Sequence, residues 1–484
     1  MTTSDAAAKI SDRRKQMILL LACIGQFMVV LDIAIVTVAL PSMKHSLDFS
    51  ATGLQWVVNA YTLTYAGFLL LGGRTADLVG RRRIFLIGLM VFTLASLVCG
   101  LAWAPGPMVA ARAIQGLGGA ILSPATLTIL IVTFTDSRER AHALGIWSAA
   151  LASGGATGAL AGGFLTDYLN WRWIFLINVP IGIVGFFLAR RVLQESRAEG
   201  APRSLDVAGA VTVTGGLTAL VYGVVQTDSY AWTSIHTVIP LACAVILIAA
   251  FVVIELTAKA PLVPFATFKS RPLSGANFVM LLIGASMFAM WYFISLYLQE
   301  VLHYSPMQAG LCFLPASLAV VVGAQICSRI VGKLGPRVIL SSSTLVVGLA
   351  LFWMSQTTAT STFWSGIFGP ITIAALALGF SFPAGTFAAT AGVAPRNAGL
   401  ASGLVNANRQ LGGAVGLAVL ATIAEQHTKS LLSTTSAPQA ITSGYTLAFV
   451  VGGCIALVAA VGAFIVPAHI KPQKPTAVVI PSPE

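Results

Sequence analysis

Apolar residues run along this chain in long unbroken blocks separated by short polar stretches. This is neither the alternation of a half-buried strand nor the single stripe of a surface helix. A membrane-spanning helix needs about 20 predominantly apolar residues. Fourteen blocks approach or exceed that length: 17–40, 54–73, 84–104, 107–132, 141–165, 173–192, 206–226, 236–257, 275–299, 308–331, 338–356, 364–389, 398–424 and 444–467. The pattern predicts an all-α integral membrane protein with 14 transmembrane helices. An even number of spans places both termini on the same side. The stretch before the first block, "MTTSDAAAKISDRRKQ", is followed by a full span with no small-residue cleavage pattern, so it reads as a retained tail. Composition agrees: 57% of residues are hydrophobic and 9% charged, against about 25% charged in a soluble domain.

Charge then orients the chain. Lys44, Arg172 and Lys429 fall on one side of the predicted membrane, and Arg112 and Arg409 fall inside spans. The rest of the 28 Lys and Arg, including Arg14, Arg81, Arg138, Arg190, Lys269, Arg337, Arg396 and Lys471, lie on the side of the termini. The positive-inside rule makes that side cytoplasmic. The net charge of +12 thus comes from dispersed anchors, without the aromatic-interleaved groove of a nucleic-acid binder. The cysteines sit singly in apolar spans with no CxxC spacing, and the histidines are scattered, so no metal cluster is expected. No Walker loop points to ATP. Neither a cofactor nor enzymatic activity is expected.

The chain echoes itself. "GGRTADLVGRRR", 72–83, follows the second block, and "SRIVGKLGPR", 328–337, follows the tenth; in both, an Arg precedes five residues, a Gly and then basic residues. "GGATG", 154–158, in the fifth block is echoed by "GGAVG", 412–416, in the thirteenth. Span 2 thus pairs with span 10 and span 5 with span 13. The organisation predicted is a tail, 1–16; a six-helix bundle, 17–192; a linker, 193–274, carrying two extra helices at 206–226 and 236–257; a second six-helix bundle, 275–467; and a tail, 468–484. Repeated halves around a central site are typical of secondary transporters.

These motifs resemble a known family. "GGRTADLVGRRR" resembles the loop signature between spans 2 and 3 of the major facilitator superfamily. "LDIAIVTVALP", "RAIQGLGGA", "WRWIFLINVPIG" and "NANRQLGG" resemble motifs of its fourteen-span drug:proton antiporter branch, on spans 1, 4, 5–6 and 13. The match covers 17–467. The resemblance implies a major facilitator fold and a multidrug or antibiotic-resistance efflux transporter, similar to exporters of the methylenomycin-resistance type. It implies a proton gradient as energy source, small hydrophobic substrates, and a bacterial plasma membrane as location. A monomer is expected to suffice. Export of one endogenous metabolite, such as an antibiotic or siderophore, is the alternative. A non-transporting sensor or lipid-handling protein is a third reading.

Candidate residues follow. Asp32 is the one carboxylate well inside a span, and Arg112 lies at comparable depth. An intramembrane ionisable residue is a functional hypothesis by default. Asp32 either takes up the coupling proton, modulated by Arg112, or the two form a permanent pair. The branch often has Thr and Asn where this chain has Ala34 and Thr37, which removes a hydroxyl near Asp32 and favours the proton-carrier reading. In the 72–83 loop, Gly73, Arg74, Asp77, Gly80, Arg81 and Arg82 either fix topology or form a cytoplasmic latch between the halves. Gly154, Gly158 and Gly162 share a helix face and, with Gly163, resemble the family's antiporter motif; Ala159 stands where the family usually has Pro, so a weaker kink is expected. Asn406, Arg409 and Gln410 form either a polar seam or an interface that re-pairs between states. By analogy with the family, spans 1, 4, 9 and 12 line the cavity, which makes Gln115, Phe288, Trp291 and Tyr292 candidates for its wall.

Overall fold

A computed structural model describes residues 11–197, 205–391, 393 and 398–468. Most of the predicted tails, part of the 193–274 linker, and Lys9, Arg203, Arg396, Lys471 and Lys474 lie outside the described residues.

The helices follow the apolar blocks and overrun them. In chain order they are α1 (Asp12–Leu47), α2 (Trp56–Val79), α3 (Arg81–Gly100), α4 (Pro105–Thr133), α5 (Ser137–Tyr168), α6 (Asn178–Val192), α7 (Val207–Gln226), α8 (Ile235–Thr257), α9 (Arg271–Leu296), α10 (Pro306–Leu334), α11 (Pro336–Met354), α12 (Phe368–Thr390), α13 (Ala398–Leu431) and α14 (Ala437–Gly462). Among the described residues eleven helices are long and apolar enough to cross a membrane, and twelve if the bent α5 counts as one span. The two long helices outside that set are α2 and α13. They pack against each other where the halves meet, and seam positions such as Asn59, Thr62 and Gln410 are buried there. A helix that faces protein need not be as apolar as one that faces lipid.

Two six-helix bundles, α1–α6 and α9–α14, enclose the interior, joined along two seams, α2 with α13 and α5 with α10. The inserted hairpin lies outside them: α7 packs on α2 and α13, and α8 packs on α7. The glycine echo has a packing meaning. Gly154, Gly158 and Gly162 of α5 face Val30, Leu31, Ala34 and Ile35 of α1, whereas Gly412, Gly413 and Gly416 of α13 face Leu281, Phe288 and Ala285 of α9. In each half, a small-residue helix lets the first helix approach closely.

The two loop motifs are also alike in three dimensions. Gly80 and Gly335 both adopt positive φ, 128° and 80°, and separate α2 from α3 and α10 from α11. These conformations favour glycine. Each turn then docks on the end of its own bundle: Arg82 Nη2 donates to Arg190 O at 2.7 Å, and Arg337 Nε donates to Val466 O. We call the end bearing these turns the basic end. There Asp136 caps α5, accepting from the backbone N–H of Arg138 and Glu139, and these bonds hold its carboxyl below the usual range.

Two features differ from expectation. The first span does not stop at residue 40, where the apolar block ends; α1 runs through Pro41 to Leu47 and ends where Asp48 turns left-handed, φ 58°. Helix α5 bends by 40° between Arg138–Gly155 and Thr157–Tyr168 although Ala159 stands in place of proline. The break falls at residue 156, directly after "SGG", 153–155, and Gly/Ser pairs are a recognised cause of kinks.

Candidate functional site

Asp32 lies midway along α1 and is wholly buried, 0% exposed, opposite Arg112 of α4, which is 1% exposed. The Arg112 Nη1 donates to Asp32 Oδ2. Gln115, one turn further along α4, donates from Nε2 to Asp32 Oδ1 at 2.7 Å, and its Oε1 accepts from Arg112 Nη1 at 2.8 Å. Arg112 Nε donates to the carbonyl of Val57 in α2 at 2.9 Å, and the guanidinium carbon lies 4.4 Å from the ring centroid of Tyr61. Three helices therefore meet at one ion pair. The donors that Ala34 and Thr37 do not supply come from the neighbouring helix. In this conformation Asp32 and Arg112 are paired, and water does not reach them. Gln115 belongs to this cluster and not to a cavity wall.

The other expected wall residues are also packed. Phe288 lies against Gly413 and Tyr292 is buried, its ring 5.4 Å from that of Phe293. Trp291 is half-buried, with its ring 5.4 Å from that of Phe313. An apolar groove of about 490 Å³, lined by Phe68, Val211 and Tyr222 among others, lies on the flank between α2 and the inserted hairpin, remote from Asp32.

Among the described residues the 72–83 motif makes no hydrogen bond or ion pair to the other half. Asp77 Oδ1 accepts from Arg81 Nη2 at 2.9 Å, within its own loop. Glu195 accepts from the backbone of Arg82 and Arg83. Arg74 donates to the carbonyls of Ala260 and Pro261, 2.8 and 3.0 Å away, in the segment after α8. Gly73 packs beside Pro124 of α4.

The hydrogen bonds between the halves cluster at the opposite end, and the sequence reading missed them. Pro41 has no N–H for the carbonyl four residues back, that of Thr37. Ser295 Oγ of α9 donates to that carbonyl at 2.7 Å, and Gln299 Nε2 donates to Val38 O at 2.9 Å. Lys44 pairs with Glu300 at 2.6 Å, and Tyr445 donates to the other Glu300 oxygen at 3.0 Å. Asp167 accepts from Ser305 at 2.6 Å, and Gly163 packs on Pro306. Asp228, just beyond α7, accepts from Lys429 at 2.8 Å and from Thr52 at 3.2 Å, so the inserted hairpin touches both halves there. Pro41 was the one available signal, because a proline inside a helix leaves a carbonyl free.

Lys44 and Glu300 are 25% and 13% exposed, so their pair is worth about 0–1 kcal/mol. Glu300→Gln is therefore expected to shift the balance between closed and open forms of this end by up to about fivefold. Labelling of a cysteine placed at Ser295 measures this; an unchanged labelling rate removes Lys44–Glu300 from the closure.

Two packed six-helix bundles, one of them holding a buried ion pair, give the fold of a membrane transporter, and the comparisons agree. The model of the Major Facilitator Superfamily matches residues 22–417, and the chain belongs to that family. It is a multi-span membrane transporter, not an enzyme. It is 43% identical to the cephamycin export protein CmcT of Amycolatopsis lactamdurans, covering 89% of this chain and 88% of the relative. It is 36% identical to the puromycin resistance protein pur8 of Streptomyces alboniger, covering 95% and 93%. It is 32% identical to the methylenomycin A resistance protein of Bacillus subtilis, covering 84% and 87%. Its fold matches a bacterial homolog of the human lysosomal transporter Spinster, in an inward-facing and unoccupied conformation, with a TM-score of 0.66, 15% identity and coverage of 94% and 97%.

Proposed function

We propose that this protein is a proton-coupled exporter of hydrophobic drugs or antibiotics, working by alternating access. It crosses a bacterial plasma membrane fourteen times as a monomer, with both termini and the basic end in the cytoplasm. The observation that carries the reading is the buried Asp32–Arg112–Gln115 cluster on a helix that also carries the closure of the opposite end. Three relatives named for antibiotic export or resistance support the substrate class.

The cycle follows from electrostatics. In this reading the end bearing the Lys44–Glu300 contacts is the outer one, and the conformation is the inward-facing state. Ionised Asp32 holds Arg112 and Gln115, and through them ties α1 to α4. When the outer end opens, Asp32 gains access to external protons. A proton on its carboxylate cancels the charge that Arg112 pairs with, and the α1–α4 tie weakens. Return to the inward-facing state releases the proton to the cytoplasm and restores the pair. Asp32 lies nine residues before Pro41 on the same helix, so movement of α1 links protonation to the Thr37, Val38 and Lys44 contacts.

Everted membrane vesicles test the reading. Energised vesicles should accumulate a hydrophobic fluorescent dye, and an uncoupler should abolish the accumulation. Export of a single dedicated compound is the second reading, favoured by the cephamycin export relative. A susceptibility screen over chemically diverse compounds in a pump-deficient host separates the two: protection against one chemical class only would support dedicated export. The loop motif makes a smaller prediction. Asp77 pairs with Arg81 inside its own loop in this state; its partner across the halves would form when the basic end closes. Asp77→Asn should lower transport several-fold at unchanged membrane insertion, and full activity would remove the latch.

A further inference from the structure

Arg409 has no part in the cycle above. It lies near the middle of α13, on the helix whose seam with α2 joins the halves, and it is half-buried. Its Nη2 donates to Asn406 Oδ1 at 2.8 Å, and its guanidinium carbon stands 4.7 Å from the ring centroid of Phe382 in α12. Among the described residues no carboxylate pairs with it. A guanidinium carries five N–H donors. One neutral side-chain acceptor and an aromatic face do not balance a charge at this depth, where a charge is kept only with a partner or in a water-filled space. Arg112, which is fully buried, has its carboxylate. Arg409 has the donors and the positive charge without one.

Its surroundings suit a ligand with both polar and apolar parts. Tyr65 of α2 adjoins Asn406 and Arg409 from the other half. The Tyr65 hydroxyl donates to Ser123 Oγ at 3.3 Å, and Ser123 donates to Gln26 Oε1 at 2.9 Å. A polar track from α1 and α4 therefore leads to Tyr65 of α2, near the Asn406–Arg409 pair of α13, whose guanidinium has the Phe382 ring beside it. The cross-links between the halves lie at the opposite end, which leaves the basic end as the side of entry.

We propose that Arg409 is a binding residue for an anionic group of the transported molecule, so that the preferred substrates are amphipathic organic acids, carboxylates above all. The planar fork of Arg matches a carboxylate in a bidentate arrangement, while Phe382 and Tyr65 contact the apolar body. The proposal rests on the transport reading and narrows its substrate class. It extends the expectation of small hydrophobic substrates that the family resemblance implied.

The test uses the full-length protein in phosphatidylcholine nanodiscs, with pyrenebutyrate and its methyl ester as probes. The wild type should bind the acid about tenfold more tightly than the ester, the factor expected from a charge-assisted hydrogen bond. Arg409→Gln should bring the acid down to the affinity of the ester and leave the ester unchanged. Arg409→Lys, which keeps the charge and loses the fork, should fall between. The proposal is overturned if the wild type binds both probes alike, if Arg409→Gln binds the acid as the wild type does, or if both probes are lost together. Repeating the measurement with phosphatidylglycerol present identifies a lipid source: a difference between variants seen only with that anionic lipid assigns Arg409 to a headgroup and overturns the proposal. The transport reading fails separately, if wild-type proteoliposomes under a pH gradient move neither probe.

Discussion

Asp32→Asn is expected to abolish uphill export. The substitution keeps the size and the hydrogen-bonding oxygen of the side chain but removes the charge and the titration. Gln115 Nε2 can still donate to the amide oxygen, and Tyr61 still faces the guanidinium. Arg112 is left as a buried cation without its anion, and breaking a buried pair from one side costs about 3–5 kcal/mol. Accumulation driven by a pH gradient should fall by about 100-fold or more, the scale of that loss. Substrate binding by the purified variant should stay within a few-fold of the wild type, because the cluster is sealed from the interior of the bundle. The stability loss and the coupling loss can be told apart. Asp32→Asn combined with Arg112→Gln removes both charges and should recover much of the thermal stability, while gradient-driven export stays absent. A single or double variant that still pumps uphill would return Asp32 to a structural role.

Gly158→Ala is expected to cost about 1–3 kcal/mol, the range for overpacking a tight interface, and to lower export at least tenfold. A Cβ on Gly158 would meet the Cβ of Ala34 at 2.5 Å and the backbone nitrogen of Ile35 at 3.2 Å. The first contact cannot be relieved by a rotamer change, because neither methyl group has one. Helices α1 and α5 must separate beside Asp32, on the same stretch of α1 that holds the proposed proton site. The geometry supplies its own control. Ala34→Gly removes the 2.5 Å contact and leaves the milder ones, 3.2 Å to Ile35 N and 3.3 Å to Leu31 O, so the double variant should regain most of the lost melting temperature and transport. Failure of Ala34→Gly to restore either property would place the role of Gly158 in the bend of α5 and not in contact with α1.

Much of the fold was legible because bilayer thickness dictates helix length and lipid demands apolar surface. Each apolar block became a helix, and the two glycine motifs proved to be equivalent packing faces in the two halves. The depth of Asp32 and Arg112 could be counted along their helices, which brought the pair within reach. The partners of the remaining site groups could not be counted in that way. Gln115 was expected to face a cavity and instead bonds to Asp32. Asp77 was considered for a latch between the halves and pairs within its own loop in this conformation. Lys44 and Glu300 are 256 positions apart, and nothing local to either residue marks the other.

The sequence by itself determined the class of the protein. Apolar length, charge asymmetry and internal repeats are properties of single helices and short loops, written in periods of a few residues. Only the tertiary structure decided which end of the bundle holds the contacts between the halves, that Ser295 meets the carbonyl left free by Pro41, and that Arg112 has a carboxylate while Arg409 has none among the described residues. Those facts depend on the rotation and register of helices far apart in the chain. Lipid-facing hydrophobicity constrains these weakly, and close packing between small residues and polar groups settles them.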